Sequence, residues 1–292
     1  MNDSLTWVGL GIFAYGVAAT IIGELLSRLG YLKAKGPMVS LSSRRLLPVF
    51  DRLASVERGW RYWATAGVIF SFVVMSGIVV AVSGIAVQTL RGASLAGVSA
   101  IVSNSVLAGM VGIRETPYWV GVGAVVALVV HEAGHVVLCR VEEIPVSSVG
   151  VWLFGLIPIG GFVKMDAEAR QRAPRSHQLR IFASGVASNV TVSAVAFCLL
   201  WFLTGRLSVV PDGNGLAALS FWVAWTNLAL AAFNSLPSLP LDGGRLLRTG
   251  SEAVATRTPA RYQRGVATSI ALGVWGIFMG SIAVTTVGLL VR

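Results

Sequence analysis

The stretch VGVGAVVALVVHEAGHVVL, residues 120–138, decides the fold and the chemistry predicted for this chain. It is apolar enough and long enough for a membrane-spanning helix, yet it carries His131, Glu132 and His135. Two histidines four positions apart lie on one face of a helix and can bind one metal ion, with the glutamate beside them as a proton acceptor. Ionisable groups inside a membrane are costly, so this cluster indicates a functional site rather than structural pairing of polar groups.

The overall composition indicates a polytopic membrane protein. Hydrophobic residues make up 55% of the 292 positions and charged residues 12%. A soluble domain of this size with that composition could not make its surface polar enough. The net charge of +10 would suggest a nucleic-acid partner in a soluble protein, but here we expect none because the loop positions of the basic residues explain the excess. Cys139 and Cys198 fall in predicted spans, so no disulfide framework is expected.

Six stretches are long and apolar enough to cross the hydrocarbon core of a bilayer. They lie near residues 6–27, 62–90, 118–139, 181–204, 217–236 and 265–290. A more polar candidate over residues 93–113 is predicted to be an extracytoplasmic loop or a half-inserted segment. The fold class is therefore an all-α polytopic membrane protein with six transmembrane helices, and the first of them is read as a retained span rather than a cleaved signal.

The distribution of basic residues predicts the orientation. With six spans, 19 of the 23 Lys and Arg residues fall in three loops on one side, which the positive-inside rule assigns to the cytoplasm. Both termini are then extracytoplasmic, and we expect an integral protein of the cell membrane. Because the third span runs inward, its two histidines lie in its inner portion, about 20 to 26 Å from Tyr118.

Two connecting segments have patterns of their own. Residues 46–63, within the basic linker 28–61, show helical spacing that fits either a membrane-surface helix or a solvated connector. Residues 145–165 alternate apolar residues with glycine and proline, which predicts a small membrane-associated β-hairpin or sheet near the metal. We expect three regions: a two-span part with the basic linker (1–117), a catalytic membrane core (118–250) and a C-terminal span (251–292).

A catalytic zinc ion usually has three protein ligands, so a third must be found. Glu142 and Glu143 lie about two helical turns beyond His135, where solvated ends or lipid-headgroup contacts are expected. His177 in the next loop fits a surface position better than a ligand. Asp242 follows the fifth span at the cytoplasmic end, and the residues alone leave two roles open for it, a metal ligand or the cap of a short helix starting at Gly243.

The motif HEAGH at residues 131–135, together with the segment NSLPSLPLDG at residues 234–243, resembles the paired signature of the site-2 protease family of intramembrane zinc metalloproteases. The resemblance extends to PIGGFVKM at residues 158–165, similar to the family's membrane-associated hairpin. It also includes residues 178–189, similar to its GPxxN segment, although Val186 stands where proline is common. Many members carry a PDZ domain, and none is expected between the later spans here.

This resemblance implies a set of site residues. His131, His135 and Asp242 would bind Zn²⁺, and Glu132 would act as general base. Asn189 and Asn234 would orient the substrate strand or stabilise the oxyanion.

The expected activity is cleavage of a peptide bond within or near the transmembrane segment of a membrane-protein substrate, with the active site toward the cytoplasm. A substrate stretch held extended could add as a strand to the edge of the 145–165 hairpin, where Gly160 and Gly161 permit close approach. The alternative is a membrane carrier or metal-binding protein that uses the same ligands without hydrolysis and has no need of Glu132. The oligomeric state and the substrate are not readable from the sequence.

Overall fold

The computed structural model describes residues 3–28, 33–45, 47–92, 97, 117–154, 157–207 and 215–291. The helices are α1 (Asp3–Arg28), α2 (Leu47–Leu53), α3 (Glu57–Leu90), α4 (Pro117–Val141), α5 (Ala167–Arg172), α6 (Arg175–Thr204), α7 (Leu216–Asn234), α8 (Asp242–Ala255) and α9 (Ala260–Val291). The strands are β1 (Lys33–Lys35), β2 (Met38–Ser43), β3 (Val146–Phe154) and β4 (Ile157–Met165).

Five helices are long and apolar enough to cross a membrane: α3, α4, α6, α7 and α9. They coincide with the last five of the six predicted spans, so the prediction of an integral membrane protein is confirmed. The helix α1 covers the first predicted span but is not among these five, and the count of six stays a prediction. The segment 93–113 lies outside the described residues except for Gly97.

The helix α4 lies at the centre of the bundle and packs against α6 and α7. Small residues allow this contact. A Cβ atom added at Gly134 would lie 2.6 Å from the carbonyl oxygen of Ser184 on α6, so the two helices cross in direct backbone contact. Close crossing at small residues is typical of membrane helices, which gain from packing rather than from hydrophobic burial. The HEAGH segment is thereby held against α6.

The four strands form one antiparallel sheet in the order β1-β2-β3-β4. Strands β3 and β4 are the predicted hairpin, with Val151 opposite Gly161. Strand β2 pairs with β3 from Met38 opposite Phe154 to Ser43 opposite Val149. The sheet therefore joins the basic linker to the catalytic region, an interaction that the sequence analysis missed because the pairing partners lie more than 100 positions apart.

The described part of the segment 46–63, for which a membrane-surface helix and a solvated connector were both open, is divided between two helices. The helix α2 ends at Leu53, and the spanning helix α3 begins at Glu57, five residues before the predicted start of the second span. Before α2, residues 33–35 and 38–43 form β1 and β2, which the sequence analysis did not predict. Helix α1 is attached to the same sheet, because the hydroxyl of Tyr15 donates a hydrogen bond to the carbonyl of Phe154 over 3.0 Å.

Candidate metal centre

Three potential ligand atoms converge where α4 meets α8. The Oδ2 atom of Asp242 lies 3.1 Å from Nε2 of His131 and 3.0 Å from Nε2 of His135. The two Nε2 atoms are 3.3 Å apart. In a tetrahedral zinc site with bonds of about 2.0–2.1 Å, neighbouring ligand atoms lie about 3.3 Å apart, so this triangle fits zinc. Within the described part of the chain, it is the only group of His, Cys, Asp and Glu residues that could hold a metal ion.

The protonation pattern of the site also fits a cation. Nδ1 of His131 lies 2.7 Å from Oδ1 of Asn189, and Nδ1 of His135 lies 2.7 Å from the carbonyl oxygen of Ile181. Both neighbours are acceptors, so each imidazole donates from Nδ1 and presents an unprotonated Nε2 to the centre. The buried Oδ2 of Asp242 then has no hydrogen-bond donor. Three acceptor atoms face one another, and a bound cation would satisfy all of them.

The local sequence explains how Asp242 reaches this point. The helix α7 ends at Asn234, and the following proline-containing segment turns the chain so that α8 starts at Asp242. Leu241 is the N-cap residue of α8, so the capping role considered for Asp242 does not occur. Nη1 of Arg245, one turn later, lies 3.4 Å from the other carboxylate oxygen of Asp242.

The carboxyl group of Asp242 is buried, 3% exposed by residue. Burial alone would raise its pKa. A cation bound at Oδ2 would outweigh that effect and keep the carboxyl ionised. A charged carboxylate is the form that binds a metal ion.

Asn189 does not face an open substrate site in this arrangement. It is fully buried, its Oδ1 faces His131, and its Nδ2 donates to the carbonyl of Ala127 over 2.8 Å and to Oδ1 of Asn227 over 2.9 Å. Every polar atom of the Asn189 side chain is therefore used within the helix bundle. Asn227 is an additional residue of this site that the sequence analysis missed, although a lone amide inside an apolar span is a recognisable signal.

Glu132 follows His131 directly on α4, and its side chain extends toward the sheet. It lines a cavity of about 710 Å³ between α4 and the sheet, together with residues of β2, β3 and β4. A Cβ atom added at Gly161 would lie 2.7 Å from Cδ of Glu132, whereas one added at Gly160 would meet no atom within 4 Å. Gly161 therefore gives the Glu132 side chain its room, and Gly160 leaves space beside the strand.

Asn234, at the end of α7, is half-buried. Its Nδ2 donates to the carbonyl of Leu230 over 3.1 Å. Unlike Asn189, it makes no hydrogen bond to either histidine among the contacts described.

The remaining candidate ligands lie elsewhere. The expectation of a solvated Glu142 was wrong, because its side chain is 0% exposed and sits among basic groups of α3 and α6. Its Oε1 lies 2.6 Å from Nε of Arg180 and 3.7 Å from Nε of Arg61, and its Oε2 lies 2.8 Å from Nδ1 of His177. His177 is thus engaged in an ion-pair network and not in the metal triangle. Glu143 is exposed, as expected.

The geometry described above defines a membrane protein with a metallopeptidase-type site, two histidines and an aspartate beside a glutamate. The model of peptidase family M50 matches residues 119–212 and 211–277. This is more than half of the chain, and the chain belongs to peptidase family M50. The resemblance to site-2 proteases drawn from the two motifs is confirmed.

Individual relatives agree with this assignment. The chain is 36% identical over 136 residues to putative zinc metalloprotease Rip3 of Mycobacterium tuberculosis, a match that covers 45% of this chain and 32% of that protein. It is 28% identical over 123 residues to zinc metalloprotease MJ0392 of Methanocaldococcus jannaschii, over 42% of this chain and 31% of the relative. The chain thus matches about a third of the length of these relatives.

Among solved structures, the site-2 protease from Methanocaldococcus jannaschii is 20% identical, with a TM-score of 0.32. The match covers 62% of this chain and 87% of that one. Family membership therefore rests on the family model and on the sequence relatives.

Proposed function

We propose that this protein is an intramembrane zinc metalloprotease that hydrolyses a peptide bond within or near the transmembrane segment of a membrane-protein substrate. The observation that carries the proposal is the buried triangle of His131 Nε2, His135 Nε2 and Asp242 Oδ2 with Glu132 on the same helix. In this proposal the three residues of the triangle hold Zn²⁺. When bound, the ion supplies Lewis acidity for water and for the scissile carbonyl.

The chain's own groups account for the proton movements. Glu132 accepts a proton from the attacking water and donates it to the leaving amine, the usual task of a carboxylate next to such a site. The cavity between α4 and the sheet gives Glu132 an opening through which water and an extended peptide would approach. Glu132 would thus lie between the metal centre and the cavity that admits the substrate.

The sheet supports a binding mode for the substrate. Among the described residues, β4 pairs with β3 alone, so its other edge is available for a substrate strand. A strand added there would gain main-chain hydrogen bonds that replace those of its own helix. Gly160 and Gly161 would allow the two backbones to approach closely, and Asn234 would orient the substrate strand or stabilise the oxyanion. Asn189, in contrast, is assigned to the support of His131.

The orientation of the site is part of the proposal. Basic residues around the sheet, α5 and α8 outnumber those of the opposite loops, as the positive-inside rule requires of a cytoplasmic face. The metal triangle lies toward that end of α4, so catalysis would occur below the cytoplasmic membrane surface. Both termini would then be extracytoplasmic.

The test is the variant Glu132→Gln in the purified full chain, with a membrane-spanning model peptide as substrate. We expect hydrolysis to fall by about 10² to 10⁴-fold, because the general base is lost. Zinc should remain bound at one ion per chain, since Glu132 is not a ligand. Hydrolysis at the wild-type rate in this variant would overturn the proposal. Zinc flux into protein-containing liposomes, with no cleavage by the wild-type protein, would instead establish a carrier.

A further inference from the structure

The two metal-binding histidines are held in different ways. His135 donates from Nδ1 to a backbone carbonyl, that of Ile181, whose position is fixed by helix α6. His131 donates to a side-chain amide, that of Asn189, which could rotate. An amide that turned by 180° would present its NH₂ group to His131 and could no longer accept from Nδ1. Something must therefore fix the rotation of Asn189.

The structure assigns this task to Asn227, an inference that rests on the proposed metal centre. Asn227 is fully buried in α7, and its Nδ2 donates to the carbonyl of Val223 over 2.8 Å. Its Oδ1 must then face Asn189, where it accepts a hydrogen bond from Nδ2 over 2.9 Å. Together with the carbonyl of Ala127 on α4, which accepts from the same Nδ2 over 2.8 Å, Asn227 leaves Asn189 only one rotation, with Oδ1 toward His131.

The result is a chain of amides that crosses three membrane helices. It runs from the backbone of α7 through Asn227 and Asn189 to His131 on α4. Groups that orient metal-bound histidines typically change metal affinity by 10 to 100-fold when they are removed. Asn227 is thus a positioning residue for the metal centre, although it contacts neither the ligand atoms nor the cavity beside Glu132.

The experiment measures zinc affinity of the purified full chain by competition with a chelator. We expect Asn227→Leu, which is similar in size but cannot accept a hydrogen bond, to weaken zinc binding by about 10 to 100-fold. Asn227→Asp keeps an acceptor at the same place and should restore affinity to within about threefold of wild type. The d–d absorption of bound Co²⁺ should change in the Leu variant and not in the Asp variant. If the Leu variant does not fold, Asn227→Ser, which is too short to reach Asn189, replaces it.

Ser193→Ala is the matched control. Ser193 is equally buried and donates to the carbonyl of Ala224 across the same contact between α6 and α7, but it has no connection to His131. The zinc affinity of the Ser193→Ala variant should equal that of the wild type. If the wild type binds zinc and both Asn227→Leu and Asn227→Ser bind it with the same affinity, this inference alone is overturned. A wild-type protein that binds no zinc would overturn the proposed function as well.

A second observation concerns a cavity on the other side of α8. It has a volume of about 1040 Å³ and lies between α8, α9 and residues 237–239. Three arginines line it, Arg175, Arg248 and Arg264, against one acidic residue. That residue, Glu252, already pairs with Arg175 at 3.1 Å and with Arg248 at 3.3 Å, and the cavity keeps an excess of positive charge.

The part of the same cavity that follows α9 toward Trp275 is largely apolar. Its lining follows α9 from Arg264 to Trp275, a distance of about 16 Å along the helix. Leu247, Ala271 and Leu272 complete this part. The cavity thus has a basic end near the start of the spanning helix α9 and an apolar part along that helix. This arrangement suits a molecule with an anionic headgroup and a long hydrocarbon tail.

We propose that this cavity binds one anionic phospholipid of the surrounding bilayer. Basic pockets at the cytoplasmic ends of membrane helices are suited to such headgroups. The phosphate would lie between Arg264 and Arg248, and one acyl chain would extend along α9 toward Trp275. The proposal is independent of the metal centre.

Native mass spectrometry of the purified chain, with phosphatidylglycerol or phosphatidylcholine added, tests it. We expect preferential retention of one phosphatidylglycerol and about a fivefold loss of that preference in Arg264→Gln. Thr268→Phe, which fills the slot, should also reduce retention. The controls are Arg261→Gln and Ser269→Phe, exposed neighbours on α9 that do not line the cavity. Equal retention of both lipids by the wild type, or equal losses in the paired variants and controls, would overturn the proposal.

Discussion

Two buried carboxylates of this protein have opposite surroundings. Glu142, beyond the end of α4, is paired with Arg180 and Arg61, and its Oε2 also lies 2.8 Å from Nδ1 of His177. Asp242, at the start of α8, faces the Nε2 atoms of two imidazoles that already donate their protons elsewhere. The first carboxylate has its cations in the protein. The second, Asp242, has one oxygen, Oδ2, that has no hydrogen-bond donor in the described structure and would require a bound metal ion.

This difference separates a structural carboxylate from a ligand. A buried carboxylate is tolerated only when it is paired, and removal of one partner of such a pair is costly. Glu142 therefore connects α3, α4 and α6 at one end of the bundle. Asp242 adds no such connection by itself, because the groups that face it through Oδ2 are acceptors. The two sites should respond differently to substitution.

The largest expected effect comes from alanine at each carboxylate. Asp242→Ala should weaken zinc binding by more than about 100-fold, because a direct ligand is lost, while the metal-free protein keeps its stability. Glu142→Ala should lower the free energy of unfolding by about 2–3 kcal/mol, because Arg180, whose side chain is 16% exposed, loses a charged hydrogen-bond partner. Zinc competition and denaturant unfolding of both variants measure these quantities.

The same two variants also test the distinction between Glu142 as a structural carboxylate and Asp242 as a metal ligand. A large loss of zinc affinity in folded Glu142→Ala would mean that the network around Glu142 belongs to the metal site. Equal stability losses in both metal-free variants would mean that Asp242 is also a structural carboxylate.

The next effect concerns Gly185, which lies against the metal ligands. A Cβ atom there would be 2.6 Å from Nε2 of His135 and 2.7 Å from Nε2 of His131. We expect Gly185→Ala to lower zinc affinity about tenfold or more, because both imidazoles must move. Gly77→Ala on α3, where no atom lies within 4 Å of the added Cβ, is the matched control. Zinc titration that shows the same affinity in both variants would refute the described ligand geometry.

A smaller effect is expected at the two adjacent glycines of β4. Gly161→Ala should reduce kcat about tenfold at unchanged zinc content, because its methyl group displaces the Glu132 carboxylate. Gly160→Ala should change KM instead, since the space beside Gly160 is proposed for the substrate strand. Steady-state kinetics with the membrane-spanning model peptide separates the two results. A kcat effect at Gly160 with none at Gly161 would contradict this assignment.

The smallest effect is expected at His177. Its replacement by alanine should leave zinc stoichiometry and affinity unchanged and lower the free energy of unfolding by about 1 kcal/mol, because its polar contact with Glu142 Oε2 is lost. Metal analysis and unfolding of His177→Ala provide the check. A loss of bound zinc would make His177 a ligand after all.

Some features were predictable because their signals are local. The apolar length of a span, the four-residue spacing of HEAGH and the alternation in residues 145–165 each concern neighbours along the chain. The structure contains the corresponding spanning helices and the hairpin. The strand β2, by contrast, lies in a basic linker whose short pattern gives no indication of a partner more than 100 residues away.

The environments of single residues were the least predictable. Glu142 was expected in solvent because it lies beyond the apolar part of α4, but α3 and α6 supply its partners. Asn189 was expected to orient the substrate strand or stabilise the oxyanion, a role that stays a prediction, and groups of α4 and α7 surround its amide. In both cases the deciding contacts come from other helices.

The amino-acid sequence by itself determined which segments are apolar enough to span a bilayer and which side chains could bind a metal ion, because periodicity and residue chemistry are properties of the local chain. Only the tertiary structure decided that Asp242 lies against the two histidines, that Glu142 is paired with Arg180 and that Asn227 is hydrogen-bonded to Asn189. Those contacts depend on distances of about 3 Å between helices that are remote in sequence. Such distances are set by the packing of small residues at helix crossings, which no single segment contains.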